Sequence, residues 1–128
     1  MNRREARELT MTHIFQMEAQ KDFTQDSVEK FLKDNALGSQ QEYAKTLLEH
    51  IVTKITDIDA AIEKSSQGWT ISRMAKTDLA VVRLATAEIL YMEDIPMSVS
   101  INEAVELAKL YGGQQSPKFV NAVLKNIG

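Results

Sequence analysis

Ser100–Leu124 reads SINEAVELAKLYGGQQSPKFVNAVL, and the fold class follows from it. The spacing predicts two helices joined by a glycine corner. Ser100 and Glu103 stand at the S-x-x-E interval of a capping box, in which side chains satisfy the free amides of a helix start. Ala104, Val105, Leu107, Ala108 and Tyr111 then recur at helical spacing. Gly112-Gly113 stops this helix, because glycine accepts the left-handed conformation that many helix ends need. Ser116-Pro117 starts the next: serine caps, and proline tolerates the first turn, where its missing N–H costs nothing. Val120, Val123, Leu124 and Ile127 form the apolar stripe of that second helix. A plain hairpin does not call for the residues at the corner. Tyr111, Gly112, Gly113, Gln114, Gln115, Lys118 and Phe119 gather two aromatics, two amides and a cation, a surface suited to stacking bases and meeting phosphates.

The same period extends through the rest of the chain. A first helix is expected from about Arg3 to Ala19, a second from Gln25 to Asn35, and a long one opened by a second capping box, Ser39 to Glu42. Leu47, Leu48, Ile51, Val52, Ile55, Ile58 and Ile62 give this long helix the strongest apolar register in the chain. Ser65-Ser66-Gln67-Gly68 breaks it. Trp69, directly after the break, reads as a packing anchor between elements. Ile71–Lys76 reads as a helical turn, and Thr77 as the cap of a helix reaching about Glu93, with Asp78 in its first turn, where the helix dipole favours an acid. The chain is therefore expected to be all-α, with about seven helices in two packed small bundles, about residues 1–66 and 69–128, forming a single domain.

Composition agrees and narrows the function. The chain has 128 residues, of which 44% are apolar, with 2 prolines and 5 glycines. It has no cysteine, which removes thiol nucleophiles and Cys-based zinc sites. His13 and His50 lack metal-ligand spacing and read as satisfied helix-face histidines, and the methionines read as gap fillers. No phosphate-binding glycine loop, catalytic triad order or carboxylate pair beyond ordinary solvated i, i+3 spacing is present, so neither an enzyme nor a cofactor is expected. No apolar run reaches the roughly 18 residues of a membrane span, and MNRREARELT offers no signal core, so a cytoplasmic protein is the expectation. The net charge of −3 argues against bulk nucleic-acid binding but leaves room for a local basic patch. Arg3, Arg4 and Arg7 crowd the start of the first helix, where cations oppose the dipole. They read either as a solvated face with local ion pairs or as a phosphate-binding cluster.

Four segments, INEAVELAK, KFVN, the N-terminal Arg3, Arg4 and Ala6-Arg7-Glu8, and DLAVVRLATAEIL from Asp78, together resemble the family of transcription antitermination factor NusB, in order and over nearly the whole chain. That resemblance implies a bacterial, non-enzymatic protein that binds single-stranded boxA RNA as a heterodimer with the ribosomal protein NusE. It implies assembly with RNA polymerase and other Nus factors, and suppression of Rho-dependent termination in ribosomal RNA operons. It assigns RNA contacts to Arg3, Arg4, Arg7, Tyr111, Gly112, Gly113, Gln114, Gln115, Ser116, Lys118 and Phe119, and NusE contacts to Asp78 and Phe15. Gln115 stands where some members carry an acid, and Ala122 where a glycine is common. Some members form homodimers that cover the RNA face, and apolar periodicity leaves that state open. Two other readings remain: an accessory module of a ribosomal-RNA-modifying system, and a helical protein-interaction module without RNA binding.

Overall fold

The structure, a computed structural model, describes all 128 residues. It contains six α-helices: α1 (Arg3–Gln20), α2 (Gln25–Asp34), α3 (Gln41–Ser65), α4 (Lys76–Tyr91), α5 (Met97–Tyr111) and α6 (Ser116–Leu124). Single 3-10 turns at Gly38–Gln40 and Ile71–Arg73 precede α3 and α4. The expected count of about seven is thus one too high, because Ile71–Lys76 supplies only the short turn before α4. No helix is long and apolar enough to cross a membrane.

The helix starts depart most from expectation. Asn2 and Glu5 cap α1 reciprocally: the Asn2 side chain accepts from the Glu5 N–H at 2.8 Å, and the Glu5 carboxylate accepts from the Asn2 N–H at 2.9 Å. The carboxylate also lies at the end of the dipole that the three arginines oppose. Neither expected capping box forms. Ser39 lies inside the 3-10 turn, and α3 starts at Gln41 with no side-chain cap. Helix α5 starts three residues before the expected Ser100 cap, at Met97 after Pro96, and this puts Ser100 inside the helix, where it is buried while Met97 and Val99 are exposed. Helix α4 likewise starts at Lys76, one residue before the expected Thr77 cap.

The core is one continuous cluster drawn from both halves of the chain, not two bundles each with its own core. Helix α4 is at its centre: it packs against α1, α3, α5 and α6, and every residue from Leu79 to Glu88 is buried. A helix enclosed on all sides carries apolar residues all round, and two buried charges on α4 need partners. Arg83 donates to Asp59 on α3 at 2.9 and 2.8 Å and to Glu18 on α1 at 2.7 Å. Glu88, fully buried, accepts from Arg7 on α1 at 2.8 and 3.2 Å, from the Tyr43 hydroxyl on α3, and from Ser100 Oγ on α5 at 2.7 Å. Buried charges are tolerated only when paired and hydrogen-bonded in this way. These bonds fix the rotation of α1 and α5 about α4, and so the relation between the two ends of the chain that hold the candidate site. Beyond α3, Gln67 (φ 52°) and Gly68 (φ 100°) turn the chain through left-handed conformations, with Trp69 at the exit.

Candidate nucleic-acid interface

The first and last helices do not pack face to face. Helix α5 lies between them, and its side chains make the connection. Arg4 is exposed and donates to the Glu103 carboxylate at 3.1 Å through Nε and 2.7 Å through Nη2. The Tyr111 hydroxyl at the far end of α5 donates to Glu8 on α1. Both pairs leave a mark on acidity. The hydrogen bond from Arg4 is the main cause holding the Glu103 carboxyl below its usual value, against burial. The Glu8 carboxylate raises the Tyr111 phenol.

The three arginines separate. Arg4 opens onto a groove of about 650 Å³, with Lys109 and Lys118 also on its walls beside Glu103 and Glu106. Arg3 is partly buried, bonded to Gln40 and stacked over the Tyr43 ring at 4.3 Å. Arg7, expected among the phosphate contacts, is 4% exposed and committed to Glu88. Burial disfavours its charge, and the bonds to Glu88 outweigh that, so it stays cationic inside the protein. A cation with a buried partner 81 residues away looks the same in sequence as one in solvent.

The corner after α5 is built around Ser116. Gly112 adopts an extended conformation (φ −93°, ψ −174°), not the expected left-handed one. Space is what it supplies: a Cβ here would come within 2.5 Å of Ser116 Cβ and Oγ and 2.8 Å of the Ala108 carbonyl. Ser116 lies inside α6, and its Oγ accepts from the Gly113 N–H at 2.9 Å, so it closes the corner from within. Gly113, Gln114, Gln115 and Lys118 are exposed and Phe119 is half-buried.

The corner divides two clefts. Lys118 belongs to the groove shared with Arg4. Phe119, Gln114, Gln115 and Ser116 line a second cleft of about 540 Å³ together with Trp69, Arg73 and Asp78. Trp69, expected as a packing anchor between elements, is 46% exposed, edge-on to Phe119 at 6.1 Å, with the Arg73 guanidinium 5.2 Å from its ring. The two residues expected to meet NusE both lie near the start of α4 but line different clefts. Asp78 lines this second cleft, while Phe15, 37% exposed, borders another with Ala19, Lys21 and Lys76. The sequence reading missed Trp69, Arg73 and Lys109. An isolated tryptophan beside a chain break and two lone cations carry no spacing signal, and only their placement beside the corner marks them. His13 Nε2 is within hydrogen-bond distance of the Ser27 hydroxyl and carbonyl, with its ring beside Phe31, and His50 stacks on the Tyr91 ring.

A family profile described as the NusB family matches residues 4–128. The transcription antitermination protein NusB of Alkaliphilus oremlandii is 46% identical over 97% of this chain and 91% of its own length. That of Acetivibrio thermocellus is 41% identical over 99% and 88%. Among solved structures, T. maritima NusB superposes with a TM-score of 0.87 at 33% identity, covering 98% of this chain and 89% of that one. A crystal structure of the antitermination factors NusB and NusE in complex with dsRNA superposes at 0.83 and 26% identity, covering 96% and 92%. A six-helix fold around a buried central helix, matched over nearly its full length in sequence and in shape, places this chain in the NusB family.

Proposed function

We propose that the chain is a transcription antitermination factor that binds boxA RNA jointly with NusE. As part of the RNA polymerase antitermination complex, it suppresses Rho-dependent termination in ribosomal RNA operons. It acts by binding, without catalysis or a cofactor, in the cytoplasm. The observation that carries this reading is the groove beside the glycine corner, where Arg4 from α1 and Lys118 from α6 line one wall system. Three cations, Arg3, Arg4 and Lys118, supply phosphate contacts. Phe119 and Tyr111 supply stacking faces, and Gly112, Gly113, Gln114, Gln115 and Ser116 shape the corner between them. Arg7 acts from the interior, holding α1 in place through Glu88. Phe15 on α1 offers NusE an apolar anchor, and Asp78 in the first turn of α4 offers it an acid.

The test is a titration of labelled boxA RNA with the protein, with NusE, and with both. Tighter binding by the pair than by either alone is expected. Three phosphate contacts to a single strand imply a slope of roughly −2 for log affinity against log salt, and Arg4→Ala should flatten it by about 0.7. No RNA binding under any of the three conditions would sink the reading. One observation favours a module that binds only protein: Arg4 and Tyr111 already have carboxylate partners within the chain. That alternative predicts NusE binding with no effect of RNA.

A further inference from the structure

We infer that Arg7 is a second seat for the Glu103 carboxylate: when an RNA phosphate takes Arg4, Glu103 passes to the unspent Nη1 of Arg7. Arg7 is then a positioning residue for RNA binding that never touches the strand. This rests on the RNA-binding reading and deepens it, because it says where the acid inside the groove goes when the strand arrives.

Arg7 has a donor to spare. Its Nε and Nη2 donate to Glu88 at 2.8 and 3.2 Å. Its Nη1 makes no hydrogen bond and lies 3.7 Å from Glu103 Oε1, within ion-pair range but beyond hydrogen-bond length. A guanidinium carries five N–H donors, and the enclosure of Arg7 leaves solvent little access to them. A further acceptor is what this cation lacks. The strand cannot reach in to supply it. Glu103 can, with a shift of about 1 Å that brings the pair to the length of a charge-assisted bond. Glu88 holds the guanidinium ready for this, and Tyr43 and Ser100 hold Glu88 in turn.

Glu103 stands between two arginines of unequal reach. Arg4 and Arg7 are three residues apart on α1 and share a face, so one acid on α5 meets both. The Arg4 side chain is 68% exposed and that of Glu103 15%. An incoming phosphate therefore meets Arg4 from the solvent side, with Glu103 behind it. Arg4 already donates to Glu103 through Nε and Nη2, the same fork that grips a phosphate. Deprived of that fork, a largely enclosed carboxylate loses its hydrogen bonds and repels the phosphate beside it. Nη1 of Arg7 restores a hydrogen bond and draws the acid inward. The hydrogen bond from Arg4 is the main cause holding the Glu103 carboxyl low, and the charge of Arg7 already adds to it. A buried Arg7 thus contributes to RNA affinity without a phosphate contact of its own.

Labelled boxA RNA is titrated, with NusE saturating, against the full chain as parent, as Glu103→Gln, as Arg7→Met with Glu88→Leu, and with all of these changes together. The Arg7→Met/Glu88→Leu pair removes the seat without orphaning a buried charge. It should weaken binding about tenfold, the scale of one charge-assisted hydrogen bond. The salt slope should stay as in the parent, because no phosphate contact is lost. Adding Glu103→Gln should abolish the loss, so that the combined variant binds as Glu103→Gln alone does. Arg7→Lys keeps a cation for Glu88 but lacks the planar fork, and it should show the same loss and the same rescue. Urea titration of each variant confirms that it is folded. A loss that persists in the Glu103→Gln background would leave Arg7 only the task of holding α1 and overturn the inference. A slope flattened by about 0.7 would make Arg7 a phosphate contact and overturn it too. So would unchanged affinity in the Arg7→Met/Glu88→Leu pair. No binding by the parent would overturn the RNA reading itself, and the inference with it.

Discussion

Two adjacent glycines have different jobs. Gly112 has no room for a methyl group, because Ser116 and the Ala108 carbonyl crowd the place where a Cβ would stand. Gly113 has open space there and no positive φ. Gly112→Ala should therefore destabilise the protein by about 1–3 kcal/mol, the usual cost of overpacking, and weaken RNA binding by displacing the corner. Gly113→Ala should be neutral or stabilise by up to about 1 kcal/mol through the unfolded chain. Urea titration of both variants checks the pair, and equal losses would contradict the steric account. A Gly-Gly pair in sequence announces a corner but does not say which glycine is indispensable. That depends on Ser116 folding back onto Gly112, a contact one helical turn long that spacing does not encode. Trp69 teaches the same lesson in reverse: its position next to a break was legible, and its half-exposure was not.

At the scale of elements, periodicity located every helix, because apolar spacing is set by burial, and burial extends over many residues. Helix starts were less legible, because cap residues can be claimed by tertiary partners. Ser100 has the right spacing to cap a helix, yet its hydroxyl bonds Glu88 on the neighbouring helix. The cluster around Glu88 joins α1, α3, α4 and α5, and it makes a quantitative demand. Glu88→Ala leaves Arg7 buried without its main counter-charge, so a loss of about 3–5 kcal/mol is expected. Arg7→Met combined with Glu88→Leu should recover most of it, since replacing both partners removes the orphaned charge. Chemical denaturation of the single and double variants measures the difference. A double variant as unstable as Glu88→Ala would mean that Tyr43 and Ser100, not Arg7, dominate the cluster. The buried role of Arg7 was hidden because the sequence shows only three nearby arginines, and their partners lie on α4, on α5 and in the 3-10 turn before α3.

For the whole molecule, acid should act in two stages. His13 is half-buried against Ser27 and Phe31, and burial is the main cause holding its pKa below the usual value. The unfolded chain, titrating at about 6.5, therefore binds a proton that the folded chain refuses, and stability falls as pH drops from there through the folded value. Glu18 and Glu103 follow. Burial raises Glu18, and the hydrogen bonds from Lys21 and Arg83 outweigh it; Arg4 lowers Glu103. Their contribution is complete above the unfolded value of about 4.3 and is lost as pH falls through their lower folded values. Urea midpoints from pH 8 to pH 3 should show both stages, and His13→Gln should remove the upper one alone. An unchanged upper stage in that variant would assign it to another group.

The Arg4–Glu103 pair gives RNA binding an unusual ionic character. A basic site normally holds mobile anions from the buffer and sheds them when a phosphate arrives. Here the resident anion is a carboxylate of the same chain, so nothing leaves: the phosphate displaces a tethered rival that stays nearby and competes for return. Replacing chloride with glutamate in the buffer should therefore change affinity little in the parent protein. In Glu103→Gln the rival is gone, so RNA should bind more tightly, less selectively against other polyanions, and with a new dependence on which anion is dissolved. Titrations in the two salts measure this. An anion effect of equal size in parent and variant would show that Glu103 is a bystander. If the expected result holds, the acid sets a threshold: a lone phosphate gains little by displacing it, and only a strand that also engages Lys118 and the stacking faces crosses that threshold.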